Sequence, residues 1–390
     1  MKQHYRPTRF FNGQGFIDNA VISVENGVIC GIDVAENEVA ENLTSKATNN
    51  AINPQDITRL NGTLAPGYID VQVNGGGGVL FNNQPTLASL QAMFNAHRQY
   101  GTTALLPTLI TDDIDVMQQA ADAVAQAIKQ PLSGIVGIHF EGPHLSVPKK
   151  GVHPAQHIRH ISDQEWQLFS RNDLGIKKVT LAPEAVSPEE IQRLTELNVI
   201  VSLGHSNATY EQTQAALAAG ATGFTHLFNA MSPLTSREPG VVGAALAAQQ
   251  TYCGIIIDHH HVHSTSANLA YRLKSADKLV LVTDAMALIG SKQSHFNLFG
   301  EQVALQGDKL TIDTGQLAGS HLSMQQAVQN SVNDLHIELG DCLKMASLTP
   351  ATWLGLDEQM GKIAVGYRAD WVLLNDDLSV QQTWVAGQAS

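Results

Sequence analysis

Short apolar runs of strand length recur through the middle of the chain, at 68–73, 103–107, 135–140, 178–181, 199–203, 222–225, 253–257 and 279–283. Longer stretches of mixed character lie between most of them, at 87–100, 114–129, 188–197, 210–219 and 267–273. Brief apolar runs bounded by turns read as buried strands, and the longer stretches read as helices. Ser187 followed by Pro188, Glu189 and Glu190 predicts a helix start. It offers an N-cap hydroxyl, a proline at the first helical position and acids near the positive end of the helix dipole. Eight strands alternating with helices predict an α/β protein whose parallel sheet closes as a (β/α)8 barrel of the TIM type. An open doubly wound sheet is the competitor. No GxGxxG follows the first strand and no GxxxxGK[ST] occurs anywhere, which weakens the nucleotide-binding version of that fold.

The two ends of the chain have another character. Runs at 20–24 and 28–32 flank Glu25, Asn26 and Gly27, and Asn-Gly between strand-like runs is a hairpin signal. Residues 36–56 are polar and Asn-rich and read as a loop or insertion. Strand-like runs return at 370–374 and 382–385. The two ends read either as a second, small β-sandwich domain formed by both termini, 1–63 and 361–390, beside a barrel domain at 64–360, or as two unrelated tails.

Composition narrows the function classes. The chain has 390 residues, enough for this layout, and its 15% charged and 43% apolar content exclude a disordered chain or a charged coiled coil. A net charge of −13 argues against nucleic acid as a partner, since phosphate backbones reward clustered Lys and Arg. No apolar stretch reaches 18 residues, so no membrane span is expected, and the N-terminus lacks the apolar region of a secretory signal. Cys30, Cys253 and Cys342 are too scattered for a disulfide framework or a CxxC metal site, so a reducing, cytoplasmic setting is the simplest expectation. Histidine is the unusual count, at 16.

In a barrel of this type, function sits where strands end. The third strand ends in His139-Phe140-Glu141, the fifth in Gly204-His205, the sixth in Thr225-His226 and the eighth in Thr283-Asp284. Glu141, His205 and His226 together make a three-ligand set for a divalent metal with a position open for water. Such a metal lowers the pKa of its water toward neutrality, and Asp284 is placed to move that proton. Any one of these residues alone reads equally well as a capped, paired or hydrogen-bonded structural group. Four at equivalent positions in four strands favour the site.

With those residues in view, the sequence resembles the N-acetylglucosamine-6-phosphate deacetylases of the amidohydrolase superfamily. The resemblance runs nearly end to end, through LAPGYIDVQVNG at 64–75, GIHFEGPHL at 137–145, KKGVHP at 149–154 and LGHSNA at 203–208. It continues with THLFNAM at 225–231, REPGVVGAAL at 237–246, LVTDAM at 281–286, LAGSHLSM at 317–324, LTPA at 348–351 and GKIAVGYRADWVLL at 361–374. It implies that Glu141, His205 and His226 bind one catalytic divalent metal, with Zn²⁺ expected and Fe²⁺, Mn²⁺ or Co²⁺ compatible. Asp284 corresponds to the catalytic carboxylate, and His153 to the histidine that polarises the substrate carbonyl. His261 corresponds to a sugar contact, and Asn229 and Ala230 to phosphate contacts. Arg237 corresponds to a phosphate-binding arginine that in the family reaches across from a neighbouring subunit, which implies a homo-oligomer, dimer or tetramer.

One departure from the wider superfamily matters. Where many members carry His-x-His after the first strand, this chain has Gln72 and Asn74. Amide side chains are poor ligands for Zn²⁺, so a single-metal site is expected. His144 and His139 are weaker ligand candidates, and 75–78, four glycines, read as a flexible loop at the mouth. The implied reaction is hydrolysis of the acetamide of N-acetylglucosamine 6-phosphate, a small-molecule sugar phosphate. The 4-epimer, N-acetylgalactosamine 6-phosphate, is the near alternative, and a non-catalytic sugar-phosphate sensor is the remote one.

Overall fold

The structure is a computed structural model that describes residues 2–34, 52–130 and 134–390. Eight parallel strands form one sheet: Tyr68–Val73, Thr102–Ile110, Gly137–Glu141, Ile176–Leu181, Val199–Leu203, Gly223–Phe224, Tyr252–Ile255 and Leu279–Leu281. Each is hydrogen-bonded to the next in sequence order, from the first to the eighth. The ends meet through a parallel bridge between Val73 and Ala285, reinforced by the Asp284 N–H donating to Gln72 C=O at 3.0 Å. The predicted barrel is therefore present, with its strand count and order. The sixth strand is shorter than expected, and two residues past its end His226 takes a left-handed conformation with φ of 34°.

Alternation along the strands decides what lies inside. Ile69, Val71 and Val73 belong to the large apolar core in which the helices pack on the barrel. Asp70, Gln72 and Asn74 alternate with them and are all buried. The same period puts His139 and Glu141 on the inner face of the third strand and Lys178 and Thr180 on that of the fourth. The barrel interior is thus a polar column. His139 sits between Thr108 Oγ1 at 3.1 Å and Thr180 Oγ1 at 2.7 Å, and the chain runs on through Thr225 to Ser202. Below it, Trp353 fills the space that Gly223 leaves by having no side chain; a Cβ there would lie 2.3 Å from the indole.

Helices Leu87–Arg98, Ile114–Ile128, Pro188–Glu196, Tyr210–Ala218 and Ser264–Lys278 occupy the predicted stretches. Ser187 closes a capping box with Glu190, as its sequence context suggested. After the eighth strand comes an element the sequence pattern did not announce, a small antiparallel sheet of His295–Leu298, Glu301–Gln306 and Lys309–Thr311. Its strands are short, and its apolar side is buried against Leu80, Ile110 and Met286 rather than in a core of its own.

Both termini join one further sheet, which supports the small β domain. On the N-terminal side Val28–Val34 pairs with Ala20–Glu25, Ala20–Glu25 with Gln3–Phe11, and Gln3–Phe11 with Ile57–Pro66; on the other side Ile57–Pro66 pairs with Trp371–Leu374, and that strand with Val380–Val385. Asn26 and Gly27, with φ of 52° and 78°, make the expected hairpin turn. The sheet curls over an apolar interior that includes Tyr5, Trp371 and Trp384, and Val28 on its edge forms an antiparallel bridge to Arg368. Most of the Asn-rich stretch lies outside the described residues; Pro54–Asp56, at its end, is one turn of 3-10 helix.

The 75–78 glycines are a correction to the flexible-loop expectation. Gly75–Gly76 pairs with Val79–Leu80 as a small hairpin. The N–H groups of Gly75, Gly77 and Gly78 donate to the carbonyls of Ala285, Ile289 and Ala287. Glycine is required because backbone approaches backbone there; a Cβ on Gly75 would lie 2.5 Å from the Val79 carbonyl oxygen.

The floor of the barrel gives a stability test. Gly223→Ala drives a methyl into the Trp353 ring and is expected to cost about 1–3 kcal/mol, the usual range for overpacking. Urea denaturation reads it, and an unchanged midpoint would show that the indole is free to move aside.

Candidate active site

A cavity of about 350 Å³ opens at the C-terminal end of the barrel strands, and Glu141, His205, His226 and Asp284 all line it. Three of these follow strand ends in left-handed backbone: φ is 47° at His205, 34° at His226 and 51° at Asp284. That conformation costs a non-glycine residue roughly 1–3 kcal/mol and tends to cluster at functional sites.

The Glu141, His205 and His226 donor atoms lie within 4.8 Å of one another. His226 Nε2 is 3.0 Å from both Glu141 Oε1 and His205 Nε2, and His205 Nε2 is 3.3 Å from Glu141 Oε1. His205 Nδ1 lies 2.9 Å from the Lys149 carbonyl, which only accepts, so the proton sits on Nδ1 and Nε2 offers a lone pair. A carboxylate oxygen and two imidazole nitrogens crowded this closely suit a cation between them. Burial works to raise the Glu141 carboxyl, but hydrogen bonds and charge from the two histidines outweigh it and hold it well below the usual range. Burial works to lower His226; its bond to Glu141 and the nearby carboxylates reverse this and raise it.

Asp284 Oδ1 accepts from Asn74 Nδ2 at 2.6 Å and from Gln72 Nε2 at 3.2 Å. Gln72 Nε2 also lies 3.1 Å from Glu141 Oε1, so one amide spans the two carboxylates. Burial and the charge of Glu141 push the Asp284 carboxyl up to about 6. Two residues below Gln72, Asp70 accepts from the backbone N–H groups of Gln72 and Thr283, and burial pushes it up to about 7.

Two further histidines line the cavity with one nitrogen already engaged. The Thr111 N–H donates to His153 Nδ1 at 3.3 Å, which leaves the ring proton on Nε2. His261 Nδ1 donates to Asp258 Oδ2 at 2.6 Å. Its neighbours in sequence are spent elsewhere, His259 on Asp334 and His260 on Asp308. Asn229 and Ala230 also line the cavity.

Arg237 does not. It stands exposed on the loop after Pro233, with no hydrogen bond or ion pair among the described residues, and no Lys or Arg lines the cavity. His144 is turned away toward the Arg159 carbonyl, and His139 is held in the column beneath. Sequence reasoning missed several wall residues: Ile110, Val152, Met286, Gln316 and Leu317. It also missed the orienting partners Thr111 and Asp258. For Asp258 the three-residue spacing to His261 was a usable signal, whereas Thr111, just past the second strand and 42 residues before His153, left none.

A closed parallel barrel with a Glu/His/His cluster and a buried Asp at its mouth defines a hydrolase built to hold a metal ion. The chain belongs to the Amidohydrolase family, whose profile matches residues 63–389. It is 50% identical over 371 residues to an N-acetylgalactosamine-6-phosphate deacetylase of Shewanella sp. (strain ANA-3), covering 95% of this chain and 91% of that one. It is 35% identical over 328 residues to an N-acetylglucosamine-6-phosphate deacetylase of Haemophilus influenzae, covering 83% and 86%. Among solved structures, N-acetylglucosamine-6-phosphate deacetylase from Pasteurella multocida superposes with a TM-score of 0.92 at 34% identity, over all of both chains. No helix among the described residues is long and apolar enough to cross a membrane.

The raised carboxyls predict a pH dependence. Asp70 and Asp284 bind a proton more tightly folded than unfolded, so their contribution to stability is full below about pH 4 and is lost as pH rises through about 6 and 7. Metal-free protein is therefore expected to melt at lower temperature at pH 8 than at pH 6, with a smaller fall in Asp70→Asn. Calorimetry showing equal falls in the two proteins would mean that Asp70 does not ionise in that range.

Proposed function

We propose that this protein hydrolyses the acetamide of N-acetyl-D-glucosamine 6-phosphate, releasing acetate and D-glucosamine 6-phosphate. The observation that carries the chemistry is the Glu141, His205 and His226 cluster beside Asp284 in one cavity. The deacetylase relatives that the chain matches almost end to end supply the substrate class. The galacto epimer is the second reading, favoured by the name of the 50% identical relative.

Glu141, His205 and His226 would hold one divalent ion, with Zn²⁺ the expected occupant. Bound there, it supplies a water of lowered pKa and polarises the acetyl carbonyl. Asp284, with Oδ1 fixed by Asn74 and Gln72, presents its other oxygen to take the proton of the attacking water. As the C–O bond forms and the C–N bond breaks, the same carboxyl returns that proton to the leaving amine. His153, with Nδ1 occupied by Thr111, points Nε2–H at the oxygen where negative charge develops. His261, steered by Asp258, offers Nε2 to a sugar hydroxyl. Asn229 and Ala230 meet the phosphate.

Among the described residues no Lys or Arg lines the cavity to meet a phosphate, and the exposed Arg237 suits delivery from a second copy of the chain. We therefore read the active form as a homo-oligomer. The free thiols Cys30, Cys253 and Cys342 are in keeping with a reducing, cytoplasmic setting. The barrel unit is taken as 64–360 and the terminal unit as 1–63 with 361–390.

Acetate release should be lost on chelation and restored by one equivalent of Zn²⁺ per chain. The rates on the two epimers decide the sugar, and no release from either with metal bound would favour a sensor. Asp284→Asn is expected to lose at least ~10²-fold in kcat while keeping its metal; near-normal turnover would remove Asp284 from the mechanism. Arg237→Ala mixed and reassembled with Asp284→Asn should regain activity that neither variant has alone. No recovery in a confirmed mixed oligomer would return Arg237 to its own subunit.

A further inference from the structure

Lys177 and Lys178 are adjacent and point to opposite faces of the fourth strand. Lys177 Nζ donates to the carbonyls of Phe169 and Leu197 outside the barrel, closing the ends of two helices. Lys178 faces inward, 1% exposed, in register with His139. Among the described residues no hydrogen bond holds its ammonium; Nζ rests 4.9 Å from the centroid of the Trp353 ring. The mechanism makes no use of it.

A buried ammonium needs a reason, because taking it out of water costs several kcal/mol unless opposite charge lies near. Here Asp70, Glu141 and Asp284 are all buried along the same column. Burial pulls Lys178 down to about 8, and those three carboxylates hold it up, so it stays charged at neutral pH. Three carboxylates, one ammonium and a dication at the mouth would leave the column without net charge.

We propose that Lys178 is a built-in counter-charge to the metal site, an inference that rests on the metal-binding reading above. It stabilises the carboxylate column before the metal arrives, and by repelling the dication through the barrel it weakens the grip on it. Lys178 is in this sense a positioning residue that sets metal affinity from beneath, without touching metal or substrate.

A packing role and an electrostatic role predict opposite results for Lys178→Met, which keeps the length and apolar stem and removes the charge. Zn²⁺ affinity is measured by competition with a chromophoric chelator, and melting temperature with and without Zn²⁺. The proposal expects Lys178→Met to bind Zn²⁺ at least about tenfold more tightly. Its metal-free form should melt lower and gain more from Zn²⁺, while Lys178→Arg stays near the parent protein in affinity. Should Lys178→Met fail to fold without metal, Asp70→Asn alone is expected to bind Zn²⁺ several-fold more weakly. The double variant Lys178→Met/Asp70→Asn should return close to the parent affinity. Unchanged or weaker Zn²⁺ binding in folded Lys178→Met, or unchanged binding in Asp70→Asn, would overturn the counter-charge. A parent protein that takes up no Zn²⁺ at all would instead overturn the metal reading itself.

Discussion

The constraint on which the rest of this structure depends is the cost of ionised groups buried inside a barrel. Asp70, Glu141 and Asp284 are buried there, and each must meet donors or opposite charge. Backbone N–H groups and Thr283 serve Asp70, the amides of Gln72 and Asn74 serve Asp284, and two imidazoles serve Glu141. Every one of these partners comes from a different strand or strand end from the carboxylate it serves, or from the same strand two residues on. The polar column is thus also what fixes the strands to one another at the mouth.

The scaffold around the column resists change in consistent ways. The first and eighth strands close through Val73 and Ala285, and the glycine hairpin that follows the first strand is laced onto residues 285–289. His97 holds the hairpin from the other side, its Nε2 lying 2.9 Å from the Gly75 carbonyl. Asp284 and Asn74 are therefore carried on backbone tied at both ends. The strain of left-handed residues at 205, 226 and 284 is carried by this framework. A preorganised site of that kind needs little movement to meet a substrate whose charge changes during reaction.

Much of this was legible in the linear chain. The eight apolar runs announced the barrel, since a strand covered by helices on one side and closed on itself on the other must be short and regularly spaced. Asn26-Gly27 announced its hairpin because few other pairs accept two left-handed residues in succession. Glu141, His205, His226 and Asp284 stood out because strand ends converge in a closed barrel whatever the loops do. The glycines at 75–78 misled, since glycine signals either freedom or close backbone approach, and only neighbours tell which.

The sequence by itself determined the order of strands and helices, the residue at the tip of each strand and the chemical types available there, because these follow from local periodicity. Only the tertiary structure decided which polar residues share an interior. Asp70 and Lys178 sit in strands that look ordinary in sequence, and their facing inward depends on the closure and register of the barrel. The orientation of His153 by Thr111 and of His205 by Lys149, the Trp353 floor beneath Gly223, and the separation of Arg237 from the cavity are likewise contacts between distant segments. No local rule encodes them, because a hydrogen bond or a steric fit is specified by position in space, and that position exists only once the sheet has closed.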